Sequence, residues 1–297
     1  MLFRTAVAAL AALTLTPWAV ADDAGAALKA LLEQRAPSIV TVRCVIKTEI
    51  SVMGQSQDQE SRANIPGVVV DASGLVMISG STINGGKIRE MLAGMVPPDQ
   101  ELDLKITPSE IKVVIEGDDK EYEGFIAASD ARLDLAFVQI EGLGERTLTA
   151  VDFAGDQRPE IGQQVVGLSR LGEGFDYAPH FELGRVNGKI KKPRTAWTVE
   201  GVEMAGLPVF GLDGAPLGVM TLVSSGVKPD GGGGMFGGMF GDESDPPIIP
   251  AVVTNKVVRG VIQQAKARAV EVARERAGGG EAPPQEETPA TPEDEDQ

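Results

Sequence analysis

The sequence has one cysteine, one histidine, two tryptophans and two tyrosines among its 297 residues. A single cysteine, Cys44, forms no intramolecular disulfide, so the core must hold the fold unaided. A single histidine, His180, excludes any site that needs two imidazoles. No cluster of His, Cys or carboxylates has metal-ligand spacing, so neither a metal nor a cofactor is expected. Basic residues are scarce: 27 Lys and Arg stand against 43 Asp and Glu, for a net charge of −16. That excess repels phosphate backbones and argues against nucleic acid as a partner. No apolar run reaches the roughly 18 residues of a membrane span. The glycines at 231–234 are too consecutive for a phosphate loop, and no Gly-Lys-Ser/Thr follows them.

The chain opens with Arg4, an apolar run from Ala6 to Leu15, and Ala19-Val20-Ala21 as an A-x-A pattern. Residues 1–21 therefore read as a removable secretory signal, and the protein as exported, periplasmic or extracellular. Asp22 and Asp23 can cap a short helix carrying Leu28, Leu31 and Leu32, which Pro37 stops. Ile39 to Ile50 reads as a strand with Val40, Val42, Cys44 and Ile46 on one face, which makes Cys44 a buried apolar side chain. Gln55 to Asn64 is polar and loop-like. Val68-Val69-Val70, the turn Asp71 to Gly74, and Leu75 to Ile78 read as a hairpin. Asn84 to Pro108 holds a short helical pattern at Ile88, Met91 and Leu92. Ile111 to Ile115 and Gly124 to Ile126 are further strands. After Asn255, a helical stripe runs through Val257, Val258, Val261, Ile262, Ala265 and Val272. Beyond Gly278 seven carboxylates and several prolines occur with no basic residue. That acidic tail is expected to be disordered, either solubilising or a binding motif.

Three segments carry the chemistry, or its loss. Ala205-Gly206-Leu207-Pro208-Val209 precedes a strand, an Asp213-Gly214 turn and a second strand. It resembles Gly-Asn-Ser-Gly-Gly-Pro-Leu-Val, the nucleophile segment of the HtrA (Deg) family of trypsin-like serine proteases. Gly74 to Ile83 resembles that family's Gly-Tyr-Ile/Leu-Leu-Thr-Asn-x-His-Val-Val. Ala128 to Ile140 resembles its Ala-x-Asp-x-x-x-Asp-Leu-Ala-Val-Leu-x-Ile. Shorter likenesses occur at Gly162 to Leu168, at Leu183 to Gly188 and at Ile248 to Val258.

The resemblance implies an all-β fold, a chymotrypsin/trypsin-like pair of six-stranded barrels with a short N-terminal and a longer C-terminal helix. The barrels would span about 37–145 and 160–252, with the helix at 254–277, all within a domain of 22–277 followed by the tail at 278–297. It also implies that Ala205 stands at the nucleophilic serine, Ser81 at the general-base histidine and Asp134 at the aspartate. A methyl group cannot attack a carbonyl, and a serine hydroxyl cannot replace imidazole as a base near neutral pH. The surviving member is the one that only orients the histidine. Glu203 replaces a glycine whose amide helps form the oxyanion hole, and Leu207 replaces the second glycine after the nucleophile. Left without a histidine, Asp134 needs donors, and Ser81 is the expected one. His180 follows Asp134 in the chain and is expected to pack on the surface or in a loop.

These features imply a non-catalytic envelope protein that binds peptides or proteins. A hydrolase with residual or non-standard catalysis is the alternative, since Ser79, Ser81 and Ser169 offer hydroxyls. A purely structural role is a third. Many family members continue into peptide-binding PDZ domains; none is expected here. Met235, Phe236, Met239 and Phe240 lie on a glycine thread where the family has a loop walling the substrate pocket. They are either an adaptable contact or a neutral expansion.

Overall fold

The computed structural model describes residues 18–52, 55–85, 102–225 and 248–278. The helical pattern at 88–92, the four Met and Phe positions and the acidic tail from 279 lie outside the described residues, as does most of the expected signal. Helix α1, Trp18–Arg35, is followed by a 3-10 turn at Ala36–Ser38. The first barrel is built from β1 (Ile39–Val52), β2 (Gln55–Asp71), β3 (Leu75–Ser79), β4 (Leu102–Val114), β5 (Glu121–Asp130) and β6 (Leu135–Ile140). A one-turn helix α2, Ser81–Asn84, follows β3. The second barrel comprises β7 (Gln164–Arg170), β8 (Pro179–Ile190), β9 (Ala196–Glu200), β10 (Pro208–Gly211), β11 (Pro216–Ser224) and β12 (Ile248–Thr254). Helix α3, Asn255–Ala277, closes the described chain.

Both sheets are antiparallel and closed, in the orders β1-β2-β3-β6-β5-β4 and β10-β11-β12-β9-β8-β7. This is the trypsin-like double barrel that the motifs implied. Closure removes sheet edges, and period-2 alternation decides which residues fill each lumen. Val40, Val42, Cys44 and Ile46 point into the first barrel with Val69, Val76, Ile78 and Val138. Val165, Val186, Trp197, Val209, Met220 and Val252 fill the second. The alternate residues of the same strands pack between the barrels, Leu135, Phe137, Val166, Leu168 and Phe210, together with Leu207 from the turn before β10. Arg170 also bridges the barrels. Its side chain is 1% exposed and donates to Ala36 O (2.7 Å), Ile39 O and Tyr177 O (3.0 Å), besides pairing with Glu116. A guanidinium can be buried only when its N–H groups are satisfied in this way.

Two expectations are corrected. Gln55 to Asn64 is strand, not loop, and pairs with β1 from Val52↔Gln55 to Arg43↔Asn64. Its polarity does not prevent pairing, because the outer part of this hairpin has no core to face. Lys47 bonds Glu49 at 3.0 Å and Asp58 at 3.6 Å there. On α3 the buried stripe is Val258, Ile262, Ala265, Ala269 and Val272, while Val257 is 38% exposed. The spacing of four, three, four and three residues keeps one face against the barrels.

Candidate functional site

Ser81, Asp134 and Ala205 come from three separate segments, and the fold gathers those segments at the junction of the barrels. Ser81 opens α2, directly after β3. Asp134 closes the turn between β5 and β6 in a left-handed conformation, φ 53°. The amide of Gly80 donates to the Asp134 carbonyl at 2.8 Å, which pins the two segments together. Ala205 lies in the turn before β10. Gly206 (φ 82°) lies so close to β3 that a Cβ there would stand 2.2 Å from the Ser79 amide nitrogen. Glycine is thus required twice over, for its dihedral and for the approach.

The donor to Asp134 is Ser79 rather than the expected Ser81. Ser79 Oγ donates to Asp134 Oδ2 at 2.9 Å. Ser79 Oγ and Ser81 Oγ are 3.0 Å apart. A hydroxyl has one proton; with that of Ser79 committed to the carboxylate, Ser81 supplies the proton between the two serines. The result is a directed chain, Ser81 to Ser79 to Asp134, in which both serines are buried. A hydroxyl that serves this chain has its proton directed at oxygen and is not being drawn off by a base.

The second barrel contributes the turn 203–207. Ala205 is half-buried, and its side chain is a methyl. Its amide donates to Glu203 O at 3.1 Å. The amide of Glu203 donates to Glu182 Oε2 at 2.9 Å. In trypsin-like enzymes the amides at the nucleophile and two residues before it form the oxyanion hole. The N–H groups of Glu203 and Ala205, which the sequence resemblance aligns with that pair, are both spent on acceptors within the protein. Leu207, fully buried, anchors the turn through its amide to Met204 O (3.2 Å) and its carbonyl to the Met220 amide (3.0 Å).

β11 extends beyond the start of β10. Pro208 pairs with Val219, and on that side no described strand accompanies the residues from Thr221 onward. Met220 exchanges backbone bonds with Gly206 and Leu207. By alternation, Leu222 presents its N–H and C=O to the same side. Its partner on the other side is Pro250, which has no N–H to give.

The remaining sequence candidates fall elsewhere. His180 sits on β8 opposite Ser169 on β7. Its Nδ1 is buried without a hydrogen-bond partner among the described residues. Cys44 lies in the first barrel, and burial pushes its thiol pKa up, away from reactivity. Among the described residues no group of three metal-ligating side chains occurs. No helix of the described residues is long and apolar enough to cross a membrane. A cleft of about 320 Å³ between α3 and the first barrel shares no residue with the site at Ser79, Ser81, Asp134 and Ala205. Its charges are engaged, Lys266 with Asp71 at 2.5 Å and Arg259 with the Ala154 carbonyl at 2.6 Å. Burial opposes ionisation of Asp71, but Lys266 and Ser73 outweigh it and hold the carboxyl below its ordinary range.

Sequence reading missed Glu182 and the role of Ser79. Nothing marks Glu182 along the chain, because its partner amide belongs to a segment 21 residues away. Ser79 precedes Ser81 by two, and that spacing was the only available signal. No family model matches the sequence, and none of the curated proteins does. Solved structures do match, among them the crystal structure of Deg5, at 21% identity over 66% of this chain and 85% of that chain, with a TM-score of 0.44.

Proposed function

We propose that this protein is a catalytically inactive homologue of trypsin-like, HtrA-type serine proteases, exported to the cell envelope, that holds peptides or unfolded proteins without cutting them. The observation that carries the reading is the double commitment of the amides of Glu203 and Ala205 to internal acceptors. With Ala205 at the nucleophile position, no attacking atom and no anion site remain. Removing one oxyanion donor alone costs about 2.7–4 kcal/mol of transition-state stabilisation.

The alternative of hydrolysis by Ser81, with Asp134 acting as base through Ser79, is chemically poor. A carboxylate is far too weak a base to take an alcohol proton at useful rate near neutral pH. Its proton chain also ends on the carboxylate oxygen with no substrate-facing base.

Binding rests on β11. An extended peptide laid beside Leu222 would meet its N–H and C=O and add a strand next to Ala205. The Met and Phe residues at 235, 236, 239 and 240 belong to the segment that follows β11 and supply apolar side chains for such a ligand. The test is a fluorescent peptide library, screened by polarisation, against the protein and its Leu222→Pro variant. Because Leu222 faces a proline across β12, the change removes a donor from the cleft side only. Binding should fall at least tenfold while the melting temperature stays within about 2 °C. Equal binding by both proteins would refute strand addition, and cleavage of any bound peptide would refute inactivity.

A further inference from the structure

Lys189, Lys191, Lys192 and Arg194 fall within six residues at the turn between β8 and β9. Lys191 and Lys192 are exposed, and Arg194 is half-buried. Among the described residues, no carboxylate oxygen stands within the 4.0 Å of an ion pair from any of them. Lys189 lies 5.1 Å over the Trp197 ring instead. Other cations of the first barrel and α3, such as Lys47, Lys112, Arg146 and Lys266, do have carboxylate partners. Arg194 also feels Asp130 and Arg132, and those two already pair with each other at 3.3 Å. In a chain of net charge −16, this turn is a concentration of unneutralised positive charge. It stands beside the Asp130–Asp134 turn of the degenerate site.

We propose that the turn Lys189–Arg194 is the docking surface for the chain's own acidic C-terminal segment, Glu281–Gln297. Charge complementarity is the first argument: the segment carries seven carboxylates, four of them consecutive at Glu293 to Asp296, and no cation. Reach is the second. Near the end of α3, Arg276 stands 5.0 Å over the Phe125 ring on β5. β5 continues five residues from Phe125 to Asp130, about 17 Å at strand rise. Eight residues beyond Gly278, Glu286 can extend up to about 27 Å, so the carboxylates from Glu286 onward can reach the turn. Tethering is the third: a covalent link to α3 raises the segment's effective concentration to the order of millimolar, which an untethered acidic partner lacks. An anionic membrane would have to overcome repulsion from the rest of the acidic surface. The docked segment would border the cleft next to Asp134. This inference does not depend on the peptide-binding proposal.

Zero-length carbodiimide cross-linking of the full chain, read by mass spectrometry, tests it. Links from Lys189, Lys191 or Lys192 to tail carboxylates should exceed links from Lys105 or Lys120 at least tenfold. Those links should fall several-fold in 0.5 M NaCl, where the Debye length drops to a few ångströms. Mixing isotope-labelled with unlabelled protein should place them within single molecules. The proposal is overturned if tail links spread evenly over the lysines, if they run between molecules, or if they are absent. Co-sedimentation with phosphatidylglycerol vesicles through Lys191 and Lys192, without tail links, would assign the turn to a membrane and overturn it equally.

Discussion

The two barrels bring different chemistry to their junction. On the first-barrel wall stands a charged group, Asp134, served by Ser79 and through it by Ser81. On the second-barrel wall stands the Ala205 methyl, in a turn where the amides of Glu203 and Ala205 meet internal acceptors. The contrast follows from solvation. A carboxylate without a partner in a part-buried site is costly, so the wall that kept it also kept a hydrogen-bonded chain. A methyl makes no such demand, so the second wall satisfies only its own backbone amides. The walls come close where Gly206 approaches the backbone of Ser79.

That approach gives the largest expected effect. Gly206→Ala demands a left-handed alanine whose Cβ would stand 2.2 Å from a backbone nitrogen. It should destabilise the protein by more than about 3 kcal/mol in chemical denaturation. A loss below about 1 kcal/mol would show that the walls are not in contact. The next effect separates the walls. Asp134→Ala strands the Ser79 hydroxyl and should cost about 1–3 kcal/mol. Ala205→Ser, in a half-buried position without a charge to satisfy, should change stability by less than about 0.5 kcal/mol. Equal losses at the two positions would erase the asymmetry.

A smaller effect concerns the α3 side of the first barrel. The Asp71 carboxyl is depressed in the folded state through Lys266 and Ser73, against the opposing pull of burial. A depressed carboxyl contributes stability above its unfolded pKa and loses it as the pH falls through the folded value. The melting-temperature gap between the protein and Lys266→Ala should therefore be present at pH 7 and close below the ordinary aspartate range of about 3.9. A gap that widens in acid would contradict the pairing. The smallest expected effect is on activity. Ser81→His with Ala205→Ser rebuilds the reactive groups but leaves the amides of Glu203 and Ala205 engaged. Casein cleavage should remain within tenfold of background; robust cleavage would mean that the second wall is intact and lacks only its nucleophile.

The fold was legible because barrel strands announce themselves locally. Val40 to Ile46 alternate, Asp71 to Gly74 turn, and Asp134-Leu135-Ala136 sits at the start of a strand. The polar arm of β2 was illegible because its pairing is backbone to backbone and needs no apolar pattern. That the segments of Ser81, Asp134 and Ala205 meet in space was legible from the order and spacing of the motifs along the chain. Their hydrogen bonds were not: the acceptor for the Glu203 amide sits on another strand, and the choice of Ser79 over Ser81 depends on how β3 leads into α2. Hydrogen-bond partners across strands leave no periodic trace in the sequence.

Whether the site holds an activated serine is read by labelling the folded protein with a fluorophosphonate probe and locating any adduct by mass spectrometry. No adduct is expected at Ser79, Ser81 or Ser169 above that of the heat-unfolded chain. A stoichiometric adduct on one serine of the folded protein, abolished by replacing that serine with alanine, would contradict that expectation.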